Sequence, residues 1–245
     1  MAPSSTIIIT GGTGNLGSTL AKTLATLYPG RFYVLLTCRN LENAAAVSLQ
    51  NALRSKDAQF SLEKLDLSDL DDVRRFTENV KQRITSGTLP GLVGGGIVNS
   101  AAFMTFTKDS KTSAGLDDMY TVNALAPALL ARNLLGVMGG KGGGEGAIVV
   151  NVGSQAHEMG RVDYFQQSKE SGNKGAKTAG EGERLGFMEV MKRYGSSKLL
   201  LIMMSYAFQR HLYSVCPSQS NSQVPLKISL KSVNHRWIQR IKSDS

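Results

Sequence analysis

Short apolar runs alternate along this chain with longer stretches whose apolar residues recur at helical spacing. The runs are STIIIT at 5–10, RFYVLLT at 31–37, FSLEKLDL at 60–67, GGIVNS at 95–100 and AIVVNV at 147–152. Between them the period predicts helices over 15–27, 41–54, 69–84 and 116–137, with a last one over 187–211. Strand and helix in regular alternation predict an α/β fold with a parallel sheet. Strands covered on both faces read as continuous apolar runs, which is why IIIT and IVVNV do not alternate. Right-handed crossovers then make the sheet doubly wound. A sixth strand is expected at VPLKISL, residues 224–230.

Two segments break this rhythm. GGKGGGEG, residues 139–146, reads as a solvated connection; no GK[ST] follows it and no strand runs straight into it, so it does not read as a phosphate loop. Residues 155–188 contain KESGNKGAKTAGEGER, rich in glycine and charge, and read as a mobile surface insertion. The last residues, 231–245, form an atypical basic tail.

Composition narrows the classes. With 245 residues and 41% apolar content the chain can build a real core, so pervasive disorder is excluded. No apolar run is long enough for a transmembrane helix and MAPSSTIIIT lacks the marks of a signal peptide, so a cytoplasmic location is expected. Cys38 and Cys216 form no ligand spacing, and no metal site is expected. The formal charge of +9 suits an anionic partner. That partner can be nucleic acid, a membrane surface or a phosphorylated cofactor; the basic residues are spread, with a looser cluster only in the tail, and carry no reading motif, so nucleic acid is not expected.

TGGTGNLG follows the first strand and opens the first helix, with Gly11, Gly14 and Gly17 at every third residue. Glycine there permits a tight turn, close backbone approach to a pyrophosphate and tight helix packing, and the helix N-terminus adds partial positive charge. Gly11, Thr13, Gly14, Asn15, Leu16 and Gly17 are therefore the candidate dinucleotide contacts. At the end of the second strand, where an NAD site commonly has an acid, the chain reads Cys38-Arg39-Asn40. Arg39 can fork onto a 2′-phosphate, which favours NADP over NAD; its other reading is a solvated surface arginine.

Several motifs in order resemble the short-chain dehydrogenase/reductase family, over about residues 6–211, and the resemblance implies a Rossmann-like single domain over 1–245. LDLS at 65–68 is similar to the family's adenine-side acidic motif, with Asp66 near the base; Asp66 also suits a cap for the next helix. IVNSAA resembles the NNAG segment, with Asn99 matching its first Asn and with Ser100 and Ala102 departing from it. Asn123 matches the helix asparagine that in the family helps hold a water chain to the lysine, and otherwise reads as a buried helix residue. VNVGSQAH places Ser154 at the catalytic serine, and neighbouring His157 has no family role. YGSSK supplies Tyr194 and Lys198, which share a helix face.

The resemblance implies that Tyr194 exchanges a proton with a substrate oxygen, that Ser154 bonds the same oxygen, and that Lys198 lowers the phenol's pKa and holds the nicotinamide ribose. The implied function is an NADP-dependent oxidoreductase acting on a small-molecule ketone, aldehyde or alcohol, as a monomer or dimer, including members that serve secondary metabolism. Forty positions separate Ser154 from Tyr194, which resembles the carbonyl reductase and retinol dehydrogenase branches. After the sixth strand the family's Pro-Gly turn, substrate loop and seventh strand are expected to be missing, with Trp237 in the tail in their place. The alternative is thus a truncated homologue that binds cofactor with little or no catalysis.

Overall fold

The computed structural model describes residues 2–139, 146–166, 184–215 and 226–232, with 212–215 and 226–232 as backbone only. Six parallel strands form one sheet: β1 (Ser5–Thr10), β2 (Phe32–Cys38), β3 (Phe60–Lys64), β4 (Gly96–Asn99), β5 (Ala147–Gly153) and β6 (Leu226–Ser232). Their order is β3-β2-β1-β4-β5-β6, so the chain reverses direction across the sheet beside β1. In such sheets the crevice at that reversal, outside the carboxyl ends of the strands, is where ligands bind. Register aligns those ends, since Thr10 pairs with Asn99 and Asn99 with Asn151.

Alternate residues of the strands feed two cores. Ile8, Leu35 and Ile97 pack with Val73, Phe76 and Val80 of α3 (Leu70–Thr85) and with Leu130 and Leu134 of α5 (Ala126–Leu134). Ile9, Val34 and Leu36 pack on the other face with Ala21 and Ala25 of α1 (Asn15–Leu27) and Leu49 and Leu53 of α2 (Ala44–Arg54). The continuous apolar runs of the sequence are thus strands buried on both sides, and the fold is the expected Rossmann-like α/β sheet.

Element boundaries move where side chains cap. The second helix starts later than expected, because Asn43 accepts from the Ala46 N–H at 2.8 Å while Asn40 turns the chain before it, accepting from Glu42 N–H. Asp69 caps α3 by accepting from the N–H groups of Asp71 and Asp72. The sixth strand is shifted toward its C-terminal side, to Leu226–Ser232, and takes in the first two residues of the expected tail.

The single long helix expected over 116–137 is not one. It consists of a turn α4 (Asp118–Tyr120), a π turn at Thr121–Leu125, α5, and a 3-10 turn at Leu135–Val137. Pro127 has no N–H to bond the Asn123 carbonyl and its ring crowds that oxygen, so the helix widens there, with Ala126 N–H reaching back five residues to Thr121.

The surface-insertion reading of 155–188 also needs correction at its two ends. Gln155–Met159 is a 3-10 helix whose Ala156 is buried, and the helix α6 (Phe187–Val215) starts before residue 188. The middle of that insertion, most of the glycine-rich 139–146 connection, Cys216 and Trp237 lie outside the described residues.

Candidate active site

The turn after β1 is built by close backbone contacts. Gly11 has φ +68° and a Cβ there would stand 2.9 Å from the Ala101 Cα; at Gly17 a Cβ would stand 2.5 Å from the Gly11 carbonyl oxygen. Gly12 N–H donates to Thr37 O and Gly14 N–H to Gly11 O, which folds the loop over the end of β2. Gly14 caps α1 without any side-chain bond. The first-turn N–H groups of a full-length helix, with their partial positive charge, are thereby left to face what lies in front of them.

In front of them is a cleft of about 830 Å³. Gly11, Thr13, Gly14, Asn15, Leu16, Gly17, Arg39 and Asp66, all singled out in the sequence, line it. Leu67 of LDLS and Ser100 of IVNSAA line it too, and so do Thr37, Phe103, Val122 and residues 111–113, which carried no expected role. Most of these directly adjoin predicted motifs; residues 111–113 do not, and no sequence signal marks them. Asp66 Oδ1 accepts from the backbone and hydroxyl of Ser68, at 2.9 and 2.7 Å, so it fixes the turn before α3, while Asp69 caps the helix itself.

Asn99 stands behind this wall. It is buried, its Nδ2 donates to Asn151 Oδ1 at 2.7 Å, and Asn151 Nδ2 donates to Ser205 Oγ at 2.9 Å. Its side chain thus ties β4 to β5 and, through Ser205, to α6. Asn99 Oδ1 has no hydrogen-bond partner among the described residues.

Ser154, at the end of β5, and Tyr194 and Lys198, on α6, come together at the next position along the sheet edge. The approach depends on Gly195: a Cβ there would stand 2.1 Å from Ala156 O, and one on Gly160 would stand 2.6 Å from Gly195 O. Helix α6 therefore lies directly on the turn that follows Ser154. The other residues of YGSSK lock that contact. Ser196 Oγ accepts from Arg161 N–H at 2.9 Å, and Ser197 Oγ accepts from Asn123 Nδ2 at 3.0 Å while donating to Tyr194 O.

Asn123 sits in the π turn, fully buried. It accepts from Phe103 N–H at 2.7 Å and donates to Phe103 O at 2.8 Å, so it clamps the strand that leaves β4 onto α6. Its Oδ1 and Nδ2 are thus both engaged with protein, while its carbonyl oxygen stands opposite Pro127, which has no N–H to bond it. His157 Nδ1 lies 2.6 Å from the Ser154 carbonyl oxygen, holding the same turn.

The electrostatics differ from expectation. Burial pushes the Tyr194 phenol above its ordinary value, and a hydrogen bond with Ser154 only partly offsets this. The expected lowering by Lys198 is not met, because Lys198 is itself buried and its Nζ donates to Val152 O at 3.0 Å, standing 5.8 Å from the tyrosine ring centroid. Desolvation brings the Lys198 amine down from 10.5 to about 8. A protonated phenol, a hydroxyl and a buried amine of reduced pKa side by side can give a proton to, and hydrogen-bond, one oxygen atom.

Sequence reading missed Arg193. It is 3% exposed, and its guanidinium donates to Asp117 at 2.8 Å, Asp118 at 3.2 Å, Thr107 O at 2.9 Å and Ser110 O at 3.0 Å. All its partners lie 75 or more positions away, which no local pattern reveals. Burial raises the Asp117 carboxyl, against the Tyr120 N–H and Arg193, which lower it.

A cleft at the reversal of a parallel sheet, lined by the glycine turn, with a Ser/Tyr/Lys group at the next position along the sheet edge, defines a Rossmann-like α/β protein; Ser154, Tyr194 and Lys198 do not themselves line that cleft. The family profile described as short chain dehydrogenase matches residues 5–176, and the chain belongs to that family. It is 31% identical over 157 residues to the short-chain dehydrogenase iccH of Talaromyces variabilis, covering 62% of this chain and 41% of that protein. It is 28% identical over 168 residues to human retinol dehydrogenase 12, covering 69% and 49%. The chain thus spans half or less of the length of these relatives. A solved NADPH-bound carbonyl reductase from chicken fatty liver superposes with TM-score 0.61 at 20% identity, over 94% of this chain and 79% of that one, a likeness of fold.

Proposed function

We propose that the protein is an NADP-dependent oxidoreductase that reduces the carbonyl of a small ketone or aldehyde. The observation that carries this is the meeting of Ser154, Tyr194 and Lys198 at the sheet edge, with Tyr194 held protonated by burial. The cleft fits the cofactor: its glycine turn leaves the first N–H groups of α1 without a side-chain cap, and its exposed cation Arg39 suits a 2′-phosphate. Gly11 to Gly17 would hold the diphosphate, Arg39 the phosphate on the adenosine ribose, Asp66 and Leu67 the adenine side, and Lys198 the nicotinamide ribose. When bound, the nicotinamide supplies the hydride.

The protein's own part is proton delivery and alignment. Tyr194 gives its phenolic proton to the carbonyl oxygen as that oxygen gains charge, and the product leaves as an alcohol. Ser154, whose Oγ accepts from Ala156 N–H at 3.2 Å, keeps its hydroxyl hydrogen to donate to the same oxygen. The Ser154 hydroxyl, whose hydrogen bond lowers the phenol pKa, steadies the phenolate left behind until water reprotonates it. Asn123 and Asn99 work behind these groups, fixing the strand ends to α6.

The test is direct. NADPH fluorescence should shift on adding the protein, and a panel of ketones and aldehydes should include one whose addition oxidises the NADPH. No binding and no turnover would refute the proposal. Binding without turnover would instead favour the alternative of a cofactor-binding protein with little or no catalysis.

A further inference from the structure

The hairpin of residues 107–118 borders the cleft. Its strands bridge at Lys111 and Asp117, Thr112 N–H donates to Leu116 O at 2.8 Å, and Gly115 N–H closes the turn on Thr112 O. Arg193 fixes both strands to α6 through Thr107, Ser110, Asp117 and Asp118. Held in this way, it brings Lys111, Thr112 and Ser113 to the cleft that Arg39 and residues 65–69 also line.

The charges of that cleft are unevenly spent. Its three carboxylates are occupied: Asp66 by Ser68, Asp69 by the start of α3 and Arg75, and Asp118 by Arg193 and Ser110. Its two cations, Arg39 and Lys111, are exposed, and neither has an ion-pair partner among the described residues. Lys111 also lines a neighbouring cavity of about 640 Å³, together with Lys108 and the exposed Asp109, where Asp117 and Glu189 are already taken by Arg193 and Tyr164. Two exposed cations on one cleft, without an ion-pair partner among the described residues, are matched to an added anion. A phosphate monoester carries about −1.5 to −2 charges near neutral pH, more than one arginine balances.

We infer that Lys111 is the second cation for the 2′-phosphate of NADP, acting together with Arg39, so that the 107–118 hairpin helps to choose between NADP and NAD. The inference rests on the cofactor reading proposed above. A diphosphate is common to both cofactors and lies at the α1 N-terminus; the 2′-phosphate distinguishes them, which makes the role separable.

The experiment measures dissociation constants for NADPH and for NADH with the intact protein and with Lys111→Ala, Lys111→Arg and Arg39→Ala, each checked for an unchanged melting temperature. Lys111→Ala should weaken NADPH about tenfold, equal to about 1.4 kcal/mol, while NADH moves by less than about twofold. Lys111→Arg should restore NADPH binding, and the salt dependence of NADPH binding should flatten in Lys111→Ala. If Lys111→Ala leaves NADPH unchanged while Arg39→Ala weakens it, or if NADPH and NADH weaken together, the role of Lys111 is overturned and the cofactor reading stands. If the unaltered protein binds neither nucleotide, both fall.

Discussion

Replacing Gly195 by alanine separates two pictures of the YGSSK helix by the sign of one number. On a solvent-facing helix the exchange stabilises by up to about 1 kcal/mol, because glycine is the poorer helix former. Here the added Cβ would lie 2.1 Å from Ala156 O, whereas carbon and oxygen ordinarily approach no closer than about 3.3 Å. Helix and turn must separate by about 1 Å, and the atom met is backbone, which has no rotamer to yield. Overpacking of this kind costs about 1–3 kcal/mol, and a chain of this size loses about 2–4 °C of melting temperature for each. The same displacement pulls Tyr194 from Ser154, and a misplacement of ~1 Å at reacting groups lowers turnover on the order of a hundredfold. Thermal melting by circular dichroism and NADPH-dependent carbonyl turnover should be measured side by side, with Gly136→Ala, which meets nothing within 4 Å, as the control. A melting temperature for Gly195→Ala equal to or above the unaltered protein would refute the packing argument.

Other outcomes follow from the same contacts. Arg193→Met leaves Asp117 and Asp118 without their cation in a buried setting, so urea unfolding should show a loss of about 3–5 kcal/mol; a loss below about 1 would mean the network is slack. Lys198 titrates near 8 in the fold and at 10.5 when unfolded, so between those values the unfolded chain holds more protons and stability climbs as pH rises, by up to about 3 kcal/mol. Lys198→Met should flatten that climb between pH 8 and 10.5, and an unaltered slope would show that another group is responsible. Tyr194→Phe should cut carbonyl reduction by roughly 10² to 10⁴ while NADPH binding holds, and Ser154→Ala by roughly 10² to 10³; equal loss of cofactor binding would place both in a structural role.

Much of this was legible along the chain, for reasons particular residues make plain. Strand and helix alternation was local, and so was the glycine turn at Gly11 to Gly17; the caps at Asn43 and Asp69 are also local, yet neighbouring Asn40 and Asp66 carry the same side chains and compete for that reading. Ser154 and Tyr194 could be paired from family order, although forty residues part them. What escaped depended on distant partners or on burial. Arg193 reads as one more surface cation until the hairpin folds over it, and Gly195 as a weak helix residue until Ala156 arrives. Pro127 sits where a helix start would tolerate it, so the π turn it forces at Asn123 was hidden inside a good periodic pattern. The direction of the Tyr194 shift turned on whether desolvation or the neighbouring amine prevails, which spacing cannot weigh.

The segment between Gly160 and Arg184 is anchored at both ends: Arg161 N–H on Ser196, Tyr164 on Glu189 at 2.8 Å, Leu185 N–H on Phe106 O at 2.7 Å, and Thr107 bridged to Arg184. Each flank is thus tied to α6 or to residues 106–107 by bonds of its own, none of which passes through the residues between the flanks. The two sides of the Ser154 and Tyr194 meeting place are therefore docked independently, so that a single backbone cut between the flanks should leave both in place.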